Sequence, residues 1–241
     1  MSVQSARRWA TEQRIIFKGR RHFLRDVLFD KVVCTLFWDV TIEGLEHIPP
    51  SGPAVLMINH ITAADPVAVM GATRPRFPVP MSKIENFWNP LFSILARTWG
   101  AYPVRRGEVD REALRITLEL LKAGELVLIA PEGHRNPGLS RPRHGLTYIA
   151  LKADPPIVPT AIFNIETWLK DLFIPWRRTP VHVRYGRPFR LRVAGRQHVD
   201  KEQMRRITDE MMYQLAVLLP ERNRGDYRDL SQMTTDTLEF L

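Results

Sequence analysis

The apolar residues of this chain gather in short runs that end abruptly at polar loops. Ala54-Val55-Leu56-Met57-Ile58, Leu126-Val127-Leu128-Ile129-Ala130 and Ile157-Val158-Pro159-Thr160-Ala161-Ile162 are nearly continuous rather than alternating. That pattern predicts strands covered on both faces, as in a parallel sheet. Helical periodicity lies between and after them, from Asp110 to Ala123 and over 200–219. In the latter, Met204, Ile207, Met211, Leu215 and Leu218 share one face until Pro220 stops the helix. Shorter strands are expected at Val40 to Ile42, within Gly100 to Gly107, and from Val181 to Tyr185. Strands alternating with helices predict an α/β fold, a mostly parallel central sheet with helices on both sides.

The ends of the chain read differently. Residues 5 to 38 predict one or two helices, divided at Gly19, in which Trp9, Ile15, Ile16, Phe17, Phe23, Leu24, Val27, Leu28, Val32, Leu36 and Phe37 alternate with Arg7, Arg8, Arg14, Lys18, Arg20, Arg21 and Arg25. Such a stretch suits the interface of an anionic bilayer. It equally suits a helix packed on the core with a solvated basic face. Residues 167 to 178 pose the same choice, because Trp168, Leu169, Leu172, Phe173, Ile174, Pro175 and Trp176 lead into Arg177-Arg178. They read either as an interfacial anchor or as a helix buried against the N-terminal helices. The expected organisation is therefore basic amphipathic helices over 1–38, one α/β domain over 39–220, and a polar tail over 221–241 that is peripheral or partly disordered.

Charge narrows the partners. The chain carries +9 with a pI near 10.1, and its first 31 residues hold eight Lys/Arg against three Asp/Glu. This points to nucleic acid, an anionic membrane surface or phosphorylated substrates. Bulky apolar residues interleaved with the basic ones, and the absence of a nucleic-acid motif, disfavour nucleic acid. A single cysteine, Cys34, excludes an intrachain disulfide and a cysteine-rich metal site. No apolar run is long enough to span a membrane, since Asp30, Lys31 and Asp39 break the one from Val27 to Val40. A secretory signal pattern is also lacking at the N-terminus, so the expected compartment is the cytoplasm.

Candidate chemistry lies where two of the apolar runs end. The first hands over to Asn59-His60, with Asp65-Pro66 five residues on. A histidine at the carboxyl end of a buried strand can act as a general base, and an aspartate on its second ring nitrogen would fix the useful tautomer. Asp65 could instead merely cap the helix that Pro66 begins. The second run hands over to Pro131-Glu132-Gly133-His134-Arg135, where a glycine allows close backbone approach and an arginine suits bidentate phosphate binding. Between the two lies Tyr102-Pro103-Val104-Arg105-Arg106-Gly107, a strand edge with paired cations.

In order and spacing these blocks resemble the glycerolipid acyltransferases of the lysophosphatidic acid acyltransferase type. Asn59-His60 with Asp65 looks like that family's first motif, NHx4D. Gly100 to Gly107 looks like the second, Pro131 to Arg135 the third, and Ile157-Val158-Pro159 the fourth. The likeness covers about residues 40 to 190, with Ala130 in place of the family's usual Phe and His134 in place of its Thr.

The resemblance implies a peripheral enzyme on the cytoplasmic face of the cell membrane. It would move a fatty acyl group from acyl-CoA or acyl-carrier protein to lysophosphatidic acid, giving phosphatidic acid without cofactor or metal. His60 and Asp65 would be catalytic. Lys83, Arg105, Arg106 and Arg135 would hold the acceptor phosphate, and Asn59, Glu132 and Gly133 would shape the acceptor pocket. Another lysophospholipid or glycerol 3-phosphate as acceptor, a lipid hydrolase, and a non-catalytic membrane-surface module are the alternatives; the intact His60, Asp65, Glu132 and Arg135 speak against the last.

Overall fold

The computed structural model describes residues 18–107, 109–193 and 199–241. The start of the predicted N-terminal helices, residues 5 to 17, and His198 lie outside the described residues. The three apolar runs are adjacent strands at the centre of a nine-stranded sheet. β2 (Ala54–Ile58) lies between β5 (Leu126–Ile129) and β6 (Ile157–Phe163), parallel to both, with Leu56 opposite Leu128 on one side and Val158 on the other. Every residue of these three strands is buried. β3 (Val79–Lys83) continues the parallel series beyond β5, and β4 (Tyr102–Val104) forms its edge. On the other flank β7 (Thr179–Tyr185) pairs antiparallel with β6, and β1 (Trp38–Glu43) pairs parallel with β7.

Alternate side chains of β2 feed two separate cores. Val55 and Met57 pack under α5 (Arg111–Lys122), α6 (Gly145–Ala153) and α8 (Lys201–Ala216), through Leu120, Ile149, Met211 and Leu215. Leu56 and Ile58 face the opposite layer, which holds α3 (Asp65–Ala72), α4 (Pro90–Trp99) and the N-terminal helix. Such two-sided cover is what makes an unbroken apolar strand stable in the middle of a sheet.

The N-terminal helix runs as α1 (Lys18–His22), a π-helical stretch (Phe23–Val33) and α2 (Cys34–Leu36); the first of the two helices expected to meet at Gly19 lies almost wholly outside the described residues. Its faces differ from those expected. Arg21 and Arg25 are buried, Arg21 donating to the Trp99 carbonyl at 2.7 Å and Arg25 stacking 4.0 Å over the Phe77 ring. Phe29 points into the core, whereas Phe23, Val27 and Leu28 are exposed. In a π-helix each hydrogen bond spans five residues, so a face traced at the α-helical period of 3.6 rotates out of register. Among the described residues no helix is long and apolar enough to cross a membrane.

The polar tail is also ordered, contrary to expectation. Its β9 (Leu238–Phe240) pairs with β8 (Phe189–Leu191), and Tyr227 and Leu238 are buried. A few widely spaced apolar residues suffice to dock a polar segment when a strand edge is open to pair with. Replacing Leu238 by Ala should therefore cost roughly 2–5 kcal/mol, as in any well-packed core. Denaturant unfolding of the full chain measures this, and an unchanged midpoint would show that the tail contributes nothing to the fold.

Candidate active site

His60 leaves the carboxyl end of β2, the edge at which open α/β sheets place their ligands. Its ring nitrogen Nδ1 lies 3.0 Å from Oδ2 of Asp65, and both residues are buried. A buried carboxylate must be met by donors. Asp65 accepts from the backbone N–H groups of Ile61 and Thr62 and, at 2.7 Å, from the Thr62 hydroxyl. It is the first residue of α3, but its carboxylate turns back to the preceding loop rather than onto the helix's own amides; the N-cap is Ala64, which has no side-chain cap. With Nδ1–H donated to Asp65, the His60 Nε2 carries the lone pair.

Asn59 does something else. Its Nδ2 donates to the Ile162 carbonyl and its Oδ1 accepts from the Ile162 N–H, both at 2.8 Å. The side chain thereby extends the β2–β6 ladder one step beyond Ile58 and holds the strand end that carries His60.

The loop after β5 grips the His60 peptide. Asn136 N–H donates to the His60 carbonyl at 2.8 Å. Glu132 accepts from the His60 backbone N–H and, at 2.8 and 2.9 Å, from the N–H and hydroxyl of Ser140. Burial pushes the Glu132 carboxyl above its ordinary range, and the Ser140 hydrogen bonds oppose that rise. Gly133 turns the loop with φ of 72°. His134 is exposed; its Nδ1–H donates to the Glu132 carbonyl at 2.8 Å, and its Nε2 accepts from the Asn136 amide at 3.0 Å.

Burial and the repulsion of Arg135 hold the Arg106 guanidinium below its usual range, with Glu85 opposing, so the third loop's arginine lies close to the second's. Lys83 ends β3, beside β4, whose Val104 it faces. None of Lys83, Arg106 and Arg135 is in an ion pair among the described residues, which leaves their charge available to an anion. Arg105 lines a cleft with Pro103, Asp110 and Glu112, and its backbone N–H donates to Asp110.

The Acyltransferase family model matches residues 39–163, more than half of the chain. The chain belongs to the acyltransferase family. It is 29% identical to a 1-acyl-sn-glycerol-3-phosphate acyltransferase of Streptococcus pneumoniae (strain ATCC BAA-255 / R6), over 65% of this chain and 60% of that protein. It is 30% identical to the alpha enzyme of that name from Homo sapiens, over 53% of this chain and 46% of the other. The chain thus spans about half to three-fifths of the length of these relatives. The crystal structure of the 1-acyl-sn-glycerophosphate (LPA) acyltransferase PlsC from Thermotoga maritima shares the fold, with a TM-score of 0.57 at 24% identity, covering 82% of this chain and 77% of that one.

In this member of the family the sequence does not point to Thr62, Ser140 or Asn136. Thr62 stands three residues before Asp65, a spacing typical of local side-chain turns and therefore findable. Ser140 and Asn136 sit in a loop whose course only the fold determines. The segment of the tail from Asn223 to Asp226 is further from any sequence signal. Asn223 donates to the Pro137 carbonyl at 2.8 Å, and Leu139 exchanges backbone hydrogen bonds with Asn223 and Asp226. A Cβ on Gly225 would lie 2.0 Å from the Leu139 carbonyl oxygen, so the two backbones touch there. Among the described residues no group of His, Cys, Asp and Glu side chains is placed to hold a metal ion.

Replacing Asn59 by Ala leaves the buried Ile162 peptide unpaired and should lower stability by about 1–3 kcal/mol. Chemical denaturation decides the point; a loss below a few tenths of a kcal/mol would mean that the strand end holds without that side chain.

Proposed function

We propose that the chain transfers a fatty acyl group to the free hydroxyl of lysophosphatidic acid, giving phosphatidic acid. The observation that carries this reading is the buried His60–Asp65 pair, at 3.0 Å, at the sheet edge where the parallel strands β3, β4 and β5 also deliver Lys83 and the loops of Arg106 and Arg135. Its relatives are named for acylation of 1-acyl-sn-glycerol 3-phosphate. The acyl donor is acyl-CoA or acyl-carrier protein, and no cofactor takes part.

The steps follow from the donor and acceptor atoms. His60 Nε2 takes the proton of the acceptor hydroxyl as its oxygen attacks the thioester carbonyl. Asp65 keeps the ring in that tautomer and stabilises the imidazolium that forms. The C–O bond is made, the tetrahedral intermediate collapses, the C–S bond breaks, and the leaving thiolate takes the proton back from His60. Arg106 and Arg135, with Lys83, hold the acceptor phosphate and so orient its hydroxyl toward His60. Glu132, Gly133 and Asn59 act through the backbone: they fix the loop and strand end that carry His60. Acceptors of this kind reside in bilayers, and the basic chain with its exposed Phe23, Val27 and Leu28 suits the cytoplasmic surface of an anionic membrane. Nucleic acid is no part of this reading.

The test is a product assay by mass spectrometry with acyl-CoA and a panel of lysolipids. His60→Ala should reduce turnover on the best acceptor roughly 100- to 10,000-fold; wild-type turnover in that variant would sink the mechanism. Fatty acid released without any acceptor would instead mark a hydrolase. Arg135→Ala should raise KM for phosphorylated acceptors by about tenfold, the loss of one charge-assisted contact, and barely affect an acceptor lacking phosphate. Equal losses on both would take Arg135 out of the phosphate site.

A further inference from the structure

The apolar surface of this molecule is unevenly placed. Residues 169–176 run from within the short α7 (Trp168–Asp171) into the turn after it and expose every large apolar side chain they contain: Phe173 is 85% and Trp176 102% exposed, and Leu169, Leu172 and Ile174 are each more than 40% exposed. Trp176 sits at φ of 63°, a left-handed conformation that costs a bulky residue free energy. The segment rises from a rigid polar base. Buried Asp171 accepts from the Thr167 hydroxyl at 2.7 Å and the Thr179 hydroxyl at 3.0 Å, and pairs with Arg177 at 3.0 Å. Arg178 donates to the Cys34 carbonyl, and Trp168 packs edge-on against Trp38. The base is thus fastened to the N-terminal helix and the start of β1, while the tip touches little.

Topology fixes where this tip lies. β6 runs parallel to β2, so the chain beyond Phe163 emerges at the same sheet edge as His60. Trp168 belongs to the same apolar layer as Phe29 and Trp99, which places the segment beside the N-terminal helix with its exposed Phe23, Val27 and Leu28. α4, which contacts the start of that helix, and the turn before it expose Trp88, Phe92 and Ile94.

We propose that residues 169–176 form a wedge that enters the leaflet of an anionic phospholipid membrane, a second anchor next to the N-terminal helix; it rests on the membrane reading above and goes beyond it by naming the inserting residues. The tip supplies aromatic and aliphatic side chains to the acyl boundary, while Lys170, Arg177 and Arg178 stand at headgroup depth. Charge favours a lipid surface over a second copy of the chain. Residues 169–178 hold three cations, Lys170, Arg177 and Arg178, against the single acid Asp171, so a two-fold interface here would set like charge against like. With the wedge beside the N-terminal helix at the His60 edge, a lysolipid reaches the site from within the leaflet.

Flotation of the full chain with phosphatidylcholine vesicles, with and without phosphatidylglycerol, tests this. Phe173→Ser with Trp176→Ser should weaken partition into the anionic vesicles roughly 10- to 100-fold, while the melting temperature and turnover on a short-chain acceptor dissolved as monomer stay unchanged. The exchange Phe173→Trp with Trp176→Phe should keep partition at the wild-type level. Unchanged partition in the serine variant, or equal loss in the exchange variant, overturns the wedge. So does a serine variant that alters only the oligomeric state in vesicle-free buffer. A wild-type chain that partitions through these two residues yet transfers no acyl group would sink the proposed reaction and leave the wedge standing.

Discussion

A carboxylate with no solvent exposure at all organises this protein. Asp65 cannot be buried unless donors surround it, and four do: the His60 ring, two successive backbone N–H groups and the Thr62 hydroxyl. Meeting that demand bends the loop from Ile61 to Ala64 around the charge and starts α3 in the same stroke. The helix then covers Leu56 and Ile58, and the N-terminal helix packs on it in turn. One electrostatic requirement therefore links the reactive histidine to the assembly of an entire layer.

The backbone of His60 is held as well. Its carbonyl and N–H are taken by Asn136 and Glu132, and the strand end before it is tied to Ile162 through Asn59. A ring fixed through its own Nδ1 and through both its peptide groups has little freedom left, the preorganisation that the proposed general base would use. Arg106 and Arg135, by contrast, sit on exposed loops, and their like charges repel.

Much of this was legible in the sequence because the central strands are apolar throughout and say so residue by residue. Where Ile58 and Ile129 stop, the polar loops had to lie at one sheet edge, and they do, because β2 and β5 are parallel neighbours. The π-helical stretch from Phe23 to Val33 defeated the reading of faces, since its period is not that of an α-helix. The tail misled for another reason: its polarity is real, but Tyr227 and Leu238 find partners that composition cannot announce. Resemblance alone places Glu132 in the acceptor pocket; the structure adds that its carboxylate accepts from Ser140 and the His60 backbone, partners that only the folded loop brings to it.

The contact between Gly225 and Leu139 has a consequence in time. Loop 137–141 reaches its final hydrogen bonds only through a segment lying 86 positions downstream of Pro137. On the ribosome, β2, β5 and the His60–Asp65 loop emerge well before that segment, so Ser140, which braces Glu132, is left unclamped while α8 is still being made. The bracing of Glu132 is thus completed only after the tail has been made.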